Sequence, residues 1–342
     1  MSKKVLVTGG SGFLGSWCIQ VLLTRGYIVH TTVRTIEKAK FLELIPGATA
    51  RLKIFSGIDL LTPGAFEEAM TGCEYVLHTA SPFFVLGGSE DNLVKPAVEG
   101  TKNVLDTCNK LGVKKVVLTA STACIYVTYG TMPEEHVYTE QDWSPIELLT
   151  EKKNWYSLSK TKAEKLAWEM SKESSCTFEL STMNPTLIYG PQLPGQKHLN
   201  TSSCAIVAYF DGSTHEIEDS CKSIVDVRDV AEAHVAALEK DNAMGNRYLL
   251  ICGSPHQSVI AQEVCNALPD RMKKNVPTVL STKQIPTIMA QAPPNPVLYD
   301  VSLSTSVLGI KYHSVSEMVK TAVDSLLENG FNNKNMYSID KL

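Results

Sequence analysis

No stretch of the 342-residue sequence is apolar for long enough to span a bilayer. The opening "MSKKVLVTGG" runs straight into an apolar strand, without the longer apolar core and small-residue cleavage site of a signal peptide. Basic clusters are missing as well: the formal charge is −4, so no nucleic-acid partner and no membrane surface is expected. The nine cysteines include no C-x-x-C pair, and the eight histidines show neither H-x-x-x-H nor a mixed Cys/His spacing. These absences exclude the common metal frameworks, so no metal is expected. The thiols read as reduced, small buried hydrophobes in a cytoplasmic protein. Internal repeats and low-complexity linkers are also lacking.

What remains is an ordinary globular composition, 44% apolar and 20% charged, with enough chain for a substantial core. Short, continuously apolar strand candidates alternate with helical patterns: "KVLVTG", "SWCIQVLLTRG", "YIVHTTVR", "IEKAKFLELI", "LKIFSGID", "AFEEAM", "YVLHTA", "LVKPAVEGTKNVLDTCNKLG" and "KVVLTAS". Strands of this kind suit a parallel sheet buried on both faces, and the alternation predicts an α/β, Rossmann-type doubly wound fold. Residues 191–220 are rich in Pro, Gly, Ser and Asn, with little periodicity, and "SIVDVRDVAEAHVAALE" then restores a strand–helix unit. We expect a nucleotide-binding domain from 1–186 with 222–250, and a smaller substrate lobe from 187–221 with 251–342.

"VTGGSGFLGSW" places Gly9, Gly12 and Gly15 around Phe13 and Leu14, between a predicted strand and helix; Gly10, Gly12 and Gly15 also fit G-x-G-x-x-G. Glycines here allow a tight turn and let a pyrophosphate approach the backbone at a helix N-terminus. After the second strand, "HTTVRT" offers no acid for a ribose 2′-hydroxyl, but Arg34, with Lys38 one turn on. Two cations suit a 2′-phosphate, so NADPH/NADP+ is the expected cofactor.

In "NWYSLSKTKAEKLAW", Tyr156 and Lys160 stand four apart on a predicted helix and therefore on one face. A free phenol titrates near pH 10, and a neighbouring ammonium favours its phenolate, which would make Tyr156 a usable general acid. Lys160 could also bond the nicotinamide ribose. Ser121, ending the predicted strand in "VVLTASTA", could hold a carbonyl oxygen by donating to it. The plainer reading of "YSLSK" is two residues on an amphipathic helix.

The ordered set "VTGGSGFLGSW", "TTVR", "LIPGA", "GCEYVLHTASPF", "PAVEGTKNVL", "WYSLSKTKAEKLAWE", "NPTLIYGPQL" and "VDVRDVAEAHVAALE" resembles the extended short-chain dehydrogenase/reductases. Within them it is similar to the group of dihydroflavonol reductases, cinnamoyl-CoA reductases and NADPH-dependent aldehyde and ketone reductases. The resemblance implies that Ser121 orients a carbonyl, Tyr156 is the general acid and Lys160 tunes it. It implies 2′-phosphate contacts at Arg34 and Lys38, and adenine contacts at Asp59 and Leu60. Thr79, Ala80 and Ser81 would line the ribose side, and the stretch from Pro185 to Ile188 would pass the nicotinamide. Phe83, Phe84, Tyr126, Tyr189 and the loop 191–206 would line a pocket for a small-molecule carbonyl substrate.

Two positions depart from the group's pattern. Tyr126 stands where flavonoid-reducing members carry an asparagine, and Ser157 replaces the cysteine of the cinnamoyl-CoA reductase motif. A broad aldehyde or ketone reductase, monomer or homodimer, is therefore expected. The rival readings are an NAD-dependent sugar-nucleotide epimerase or dehydratase, which Arg34 opposes, and a non-catalytic NADP(H)-binding sensor, which the intact Ser121, Tyr156 and Lys160 oppose.

Overall fold

The computed structural model describes residues 3–81, 88–127, 129, 132–133, 135–281 and 293–331. Its strands are β1 (Lys4–Thr8), β2 (Ile28–Val33), β3 (Leu52–Ser56), β4 (Tyr75–His78), β5 (Lys115–Thr119), β6 (Val137–Tyr138), β7 (Glu179–Pro185), β8 (Leu187–Tyr189), β9 (Ile224–Asp226), β10 (Arg247–Leu250) and β11 (Leu298–Tyr299). Seven of them form one sheet in the order β10-β7-β5-β4-β1-β2-β3, with every neighbouring pair parallel.

The absence of polar alternation in "KVLVT" follows from this layering. Val5 and Val7 enter an apolar cluster shared with helices Phe13–Thr24 and Val227–Glu239. Leu6, between them, enters a second cluster shared with helices Lys95–Leu111 and Trp155–Met170. Tyr75, Leu77 and Val76 of β4 divide between the two clusters in the same way. Each face of the sheet is thus sealed by a helix pair, and the site is left to the strand ends.

From β3 the chain crosses to the far side of β1, so the strand order reverses between β1 and β4. The connections run in opposite directions there, opening a crevice at the C-terminal ends of those two strands. Gly9 and Thr79 both begin at that point.

A third cluster joins Tyr189, Phe210 and Ile224 to Ile260, Val264, Met318, Val323 and Leu326. Helices Thr201–Ala208, Gln257–Ala267 and Val315–Glu328 supply most of it. The unit restored at 222–250 is split. Its strand β9 pairs with β8 in a separate two-stranded sheet, and β10 closes the main sheet beside β7. Leu308 and Ile310 pack into the first cluster, with the sheet, although they lie in the segment assigned from sequence to the smaller lobe. All nine cysteines are unpaired. Among the described residues no helix is long and apolar enough to cross a membrane.

Candidate active site

Gly9 leaves β1 with φ of +71°, a conformation that suits glycine. Its N–H and that of Gly10 both donate to Thr32 O, at 3.0 and 3.2 Å. Gly10 is the most tightly packed position in the loop: a Cβ there would lie 2.0 Å from Thr31 Oγ1 and 2.7 Å from Ile19 Cδ1. At Gly15 a Cβ would meet Gly9 O at 2.5 Å. Gly12 begins helix Phe13–Thr24 with neither a side-chain cap nor an acid in the first turn. The buried Phe13 and Leu14 anchor that turn in the first cluster. Uncapped N–H groups at the positive end of a helix dipole, in a loop whose Gly10 and Gly15 leave no room for a side chain, fit a dinucleotide pyrophosphate.

Arg34 and Lys38 follow β2, both exposed, and among the described residues neither forms an ion pair. Two uncommitted cations at this edge fit a 2′-phosphate. Asp59 is exposed just after β3, which pairs with β2, and its Oδ1 accepts from Leu61 N–H at 2.8 Å. Leu60 nests against Gly100, where a Cβ would come within 2.4 Å of Leu60 Cγ. After β4, Thr79 donates its hydroxyl to Thr8 O at 2.6 Å, and Ala80 N–H donates to Thr8 Oγ1 at 3.1 Å. These bonds stitch the Thr79–Ala80–Ser81 segment to the crevice floor. His78 lies beneath it, 2.8 Å from Thr8 Oγ1, and burial with the Lys160 charge pushes its pKa down to about 3.

Ser121 follows β5, with its Oγ accepting from Ala123 N–H at 3.1 Å. Helix Trp155–Met170 opens behind Lys153, which is held at φ of +53°, and Asn154, whose side chain accepts from Ser157 N–H. This strained turn delivers Tyr156 to the strand end beside the Ser121 hydroxyl, whose interaction with the phenol favours its ionised form. Lys160 stands one turn further along the helix. Both side chains keep some solvent access, while protein surrounds their ionisable groups.

Here the structure departs from the tuning read from sequence. Burial pushes the Tyr156 pKa up to about 12, against the lowering effect of the Ser121 bond. Burial also lowers that of Lys160. Desolvation disfavours the phenolate, and here it outweighs the Ser121 interaction that favours it. As it stands, Tyr156 is a firmly protonated donor.

Pro185 ends β7 beside this group, with its carbonyl accepting from Thr122 Oγ1 at 3.3 Å. Ile188 packs at the margin of the first cluster. Tyr126 makes edge-on contacts with Tyr138 and Tyr299, at centroid distances of 5.1 and 6.4 Å. Tyr189, expected to line a substrate pocket, is instead only 3% exposed and sits within the third cluster. The alternation of β8 turns its ring into the apolar core of the lobe. Phe83 and Phe84 lie outside the described residues.

Sequence reading missed a buried polar network directly behind the site. Glu164, one turn beyond Lys160, is 1% exposed and accepts from Arg247 Nε and Nη2 at 2.8 and 3.1 Å. It also accepts from Thr182 Oγ1 at 2.6 Å and Asn184 Nδ2 at 3.0 Å. The same Asn184 nitrogen donates to Ser121 O at 3.1 Å. The signal available in sequence was a carboxylate four residues after Lys160, on the helix face that meets the sheet.

A family model described as "NAD dependent epimerase/dehydratase family" matches residues 5–252. Cinnamoyl-CoA reductase CAD2 of Medicago truncatula is 36% identical over 341 residues, covering 97% of this chain and 98% of the relative. The structure of Gre2 from Candida albicans in complex with NADPH is similar at a TM-score of 0.81, with 30% identity, over 96% of this chain and 99% of that one. Yeast methylglyoxal/isovaleraldehyde reductase Gre2, complexed with NADPH, aligns at a TM-score of 0.80 and 27% identity, over 95% and 98% of the two chains.

Proposed function

The chain belongs to the NAD dependent epimerase/dehydratase family, and on that premise we propose that it is an NADPH-dependent reductase of aldehydes or ketones. The observation that carries this reading is that Ser121 and Tyr156 are neighbours, with Lys160 one turn on, at the strand ends that also carry the glycine loop. Relatives matched along nearly the whole chain are reductases, which supports the same reaction class.

The glycine loop would hold the pyrophosphate, Arg34 and Lys38 the 2′-phosphate, and Lys160 with the Thr79–Ser81 segment the ribose side. When bound, the cofactor supplies a hydride for the carbonyl carbon. Tyr156 and Ser121 bring two hydroxyls to one point, so a carbonyl oxygen placed there accepts from both. As charge develops on that oxygen, Tyr156 gives up its proton and the Ser121 donor holds the oxygen in place. The Lys160 ammonium stabilises the phenolate left behind. Substrate would be a small carbonyl compound. We read the protein as a cytoplasmic monomer or homodimer, a setting supported by nine unpaired thiols.

The test is NADPH oxidation by the purified protein over a panel of aliphatic and aromatic aldehydes, α-keto compounds, a dihydroflavonol and a cinnamoyl thioester, repeated with NADH. Turnover of a simple carbonyl class with NADPH is the expected result. Silence across the panel, with NADPH bound, would reject the reading. Arg34→Ala should raise the KM for NADPH by about 10–100-fold, the equivalent of one or two charge-assisted bonds, and leave that for NADH almost unchanged. An unaltered NADPH/NADH preference would show that Arg34 does not meet the 2′-phosphate.

A further inference from the structure

We propose that Glu164, paired with Arg247, is a positioning residue of this site: it braces the Tyr156 helix against the Ser121 strand end through Asn184, and it holds Lys160 in the ammonium form. The inference rests on the reductase reading and adds to it a residue outside the Ser–Tyr–Lys set.

The geometry of the brace comes first. Tyr156, Lys160 and Glu164 stand at successive turns of one helix and therefore on one face. The Glu164 carboxylate is fully buried and meets four donors: two from Arg247, one from Thr182 and one from Asn184. Thr182 and Asn184 are alternate residues of β7 and so share a face of the sheet. Asn184 then ties the carboxylate to the backbone of Ser121. Arg247 is itself fixed, donating from Nη1 to the carbonyls of Glu140 and Asp142 at 2.6 and 2.8 Å and lying 3.6 Å over the Trp143 ring. One carboxylate thereby sets the distance between the helix that carries the proton donor and the strand end that carries its partner hydroxyl.

The charge argument is separate. Lys160 and Glu164 line a common cavity of about 10 Å³, together with Ser81, Thr101 and Thr119. That is room for about one water molecule. The titratable groups facing Lys160 are Tyr156 and Glu164 on its own helix, Cys124 from the turn after Ser121, and His78 from β4; Arg247 lies beyond Glu164. Burial keeps the Tyr156 phenol and the Cys124 thiol protonated, and keeps His78 neutral. Cys124 and Glu164 both oppose the loss of the Lys160 proton on burial, and because burial holds the thiol protonated, Glu164 is the one of the two that carries charge. Without it, the ammonium would be lost at lower pH.

The experiment is the pH dependence of kcat/KM for carbonyl reduction. It compares wild type, Glu164→Gln and the paired Glu164→Gln/Arg247→Met, each checked for a cooperative melt and for NADPH binding. The paired variant removes both charges, so no buried ion is left alone to unfold the protein. The alkaline fall in kcat/KM should move to lower pH by about one unit or more in Glu164→Gln, as expected for losing an opposite charge near an ammonium. The paired variant should show the same direction of shift. A folded, NADPH-binding variant whose alkaline fall stays at the wild-type pH would overturn the proposal. So would failure of both variants to fold, because the pair would then be purely structural. Tyr156→Phe, run alongside, separates the two levels: full turnover there rejects the reductase mechanism, whereas an inactive Tyr156→Phe with an unmoved alkaline limb rejects only the role of Glu164.

Discussion

Tyr156→Phe should lower kcat for carbonyl reduction by about 10²–10⁴-fold, the usual contribution of a positioned general acid, while NADPH binding stays nearly intact. The substitution removes one hydroxyl and keeps the ring, so helix Trp155–Met170 and its Asn154 cap are undisturbed. What disappears is the proton donor and its bond to Ser121. Titration of NADPH into the variant, followed by fluorescence, alongside single-turnover kinetics, separates binding from chemistry. Parallel loss of both would mean that Tyr156 mainly holds the cofactor. Because burial lifts the Tyr156 pKa to about 12, the donor stays loaded throughout the neutral range. The wild-type reduction rate should accordingly show no fall around neutrality that traces to the phenol.

Arg247→Ala should cost about 3–5 kcal/mol of stability, the range for removing one partner of a buried ion pair. Glu164 would keep Thr182 and Asn184 as donors but lose both guanidinium bonds. The carbonyls of Glu140 and Asp142 would lose their donor as well, and the Trp143 ring the nearer of its two cations. Denaturant unfolding followed by near-UV circular dichroism measures this loss. A change below about 1 kcal/mol, the scale of a surface pair, would mean that the network is loosely held. This variant retains the Glu164 charge. Its alkaline limb should therefore not move to lower pH, the opposite of the result expected for Glu164→Gln.

Local pattern made much of this legible before the fold was known. The glycine loop, the Arg34 that follows β2 and the Tyr156–Lys160 spacing are written within a few residues, where each chemical requirement is met by near neighbours. Strands such as "KVLVT" were readable because burial on both faces leaves an uninterrupted apolar run. Properties set by distant partners were not legible. The placement of Tyr189 depends on which way β8 turns its side chains, and that is decided by β9, many residues later. Helix Thr201–Ala208, inside a Pro- and Gly-rich region, takes its order from packing in the third cluster rather than from its own pattern. The high pKa of Tyr156 reflects how deeply the fold encloses it, which helix spacing does not encode.

The position of β10 bears on how the protein is made. Arg247 lies 83 residues after Glu164 in the chain, and β10 is the edge strand that closes the main sheet. During synthesis the helix carrying Tyr156 leaves the ribosome well before its counter-charge does. Contacts of such long range form late, after their loop has closed. A nascent chain that ends before β10 holds every residue of the Ser–Tyr–Lys set but lacks the guanidinium that pairs with the carboxylate behind them. The ion pair behind the Tyr156 helix therefore cannot close until β10 has been made.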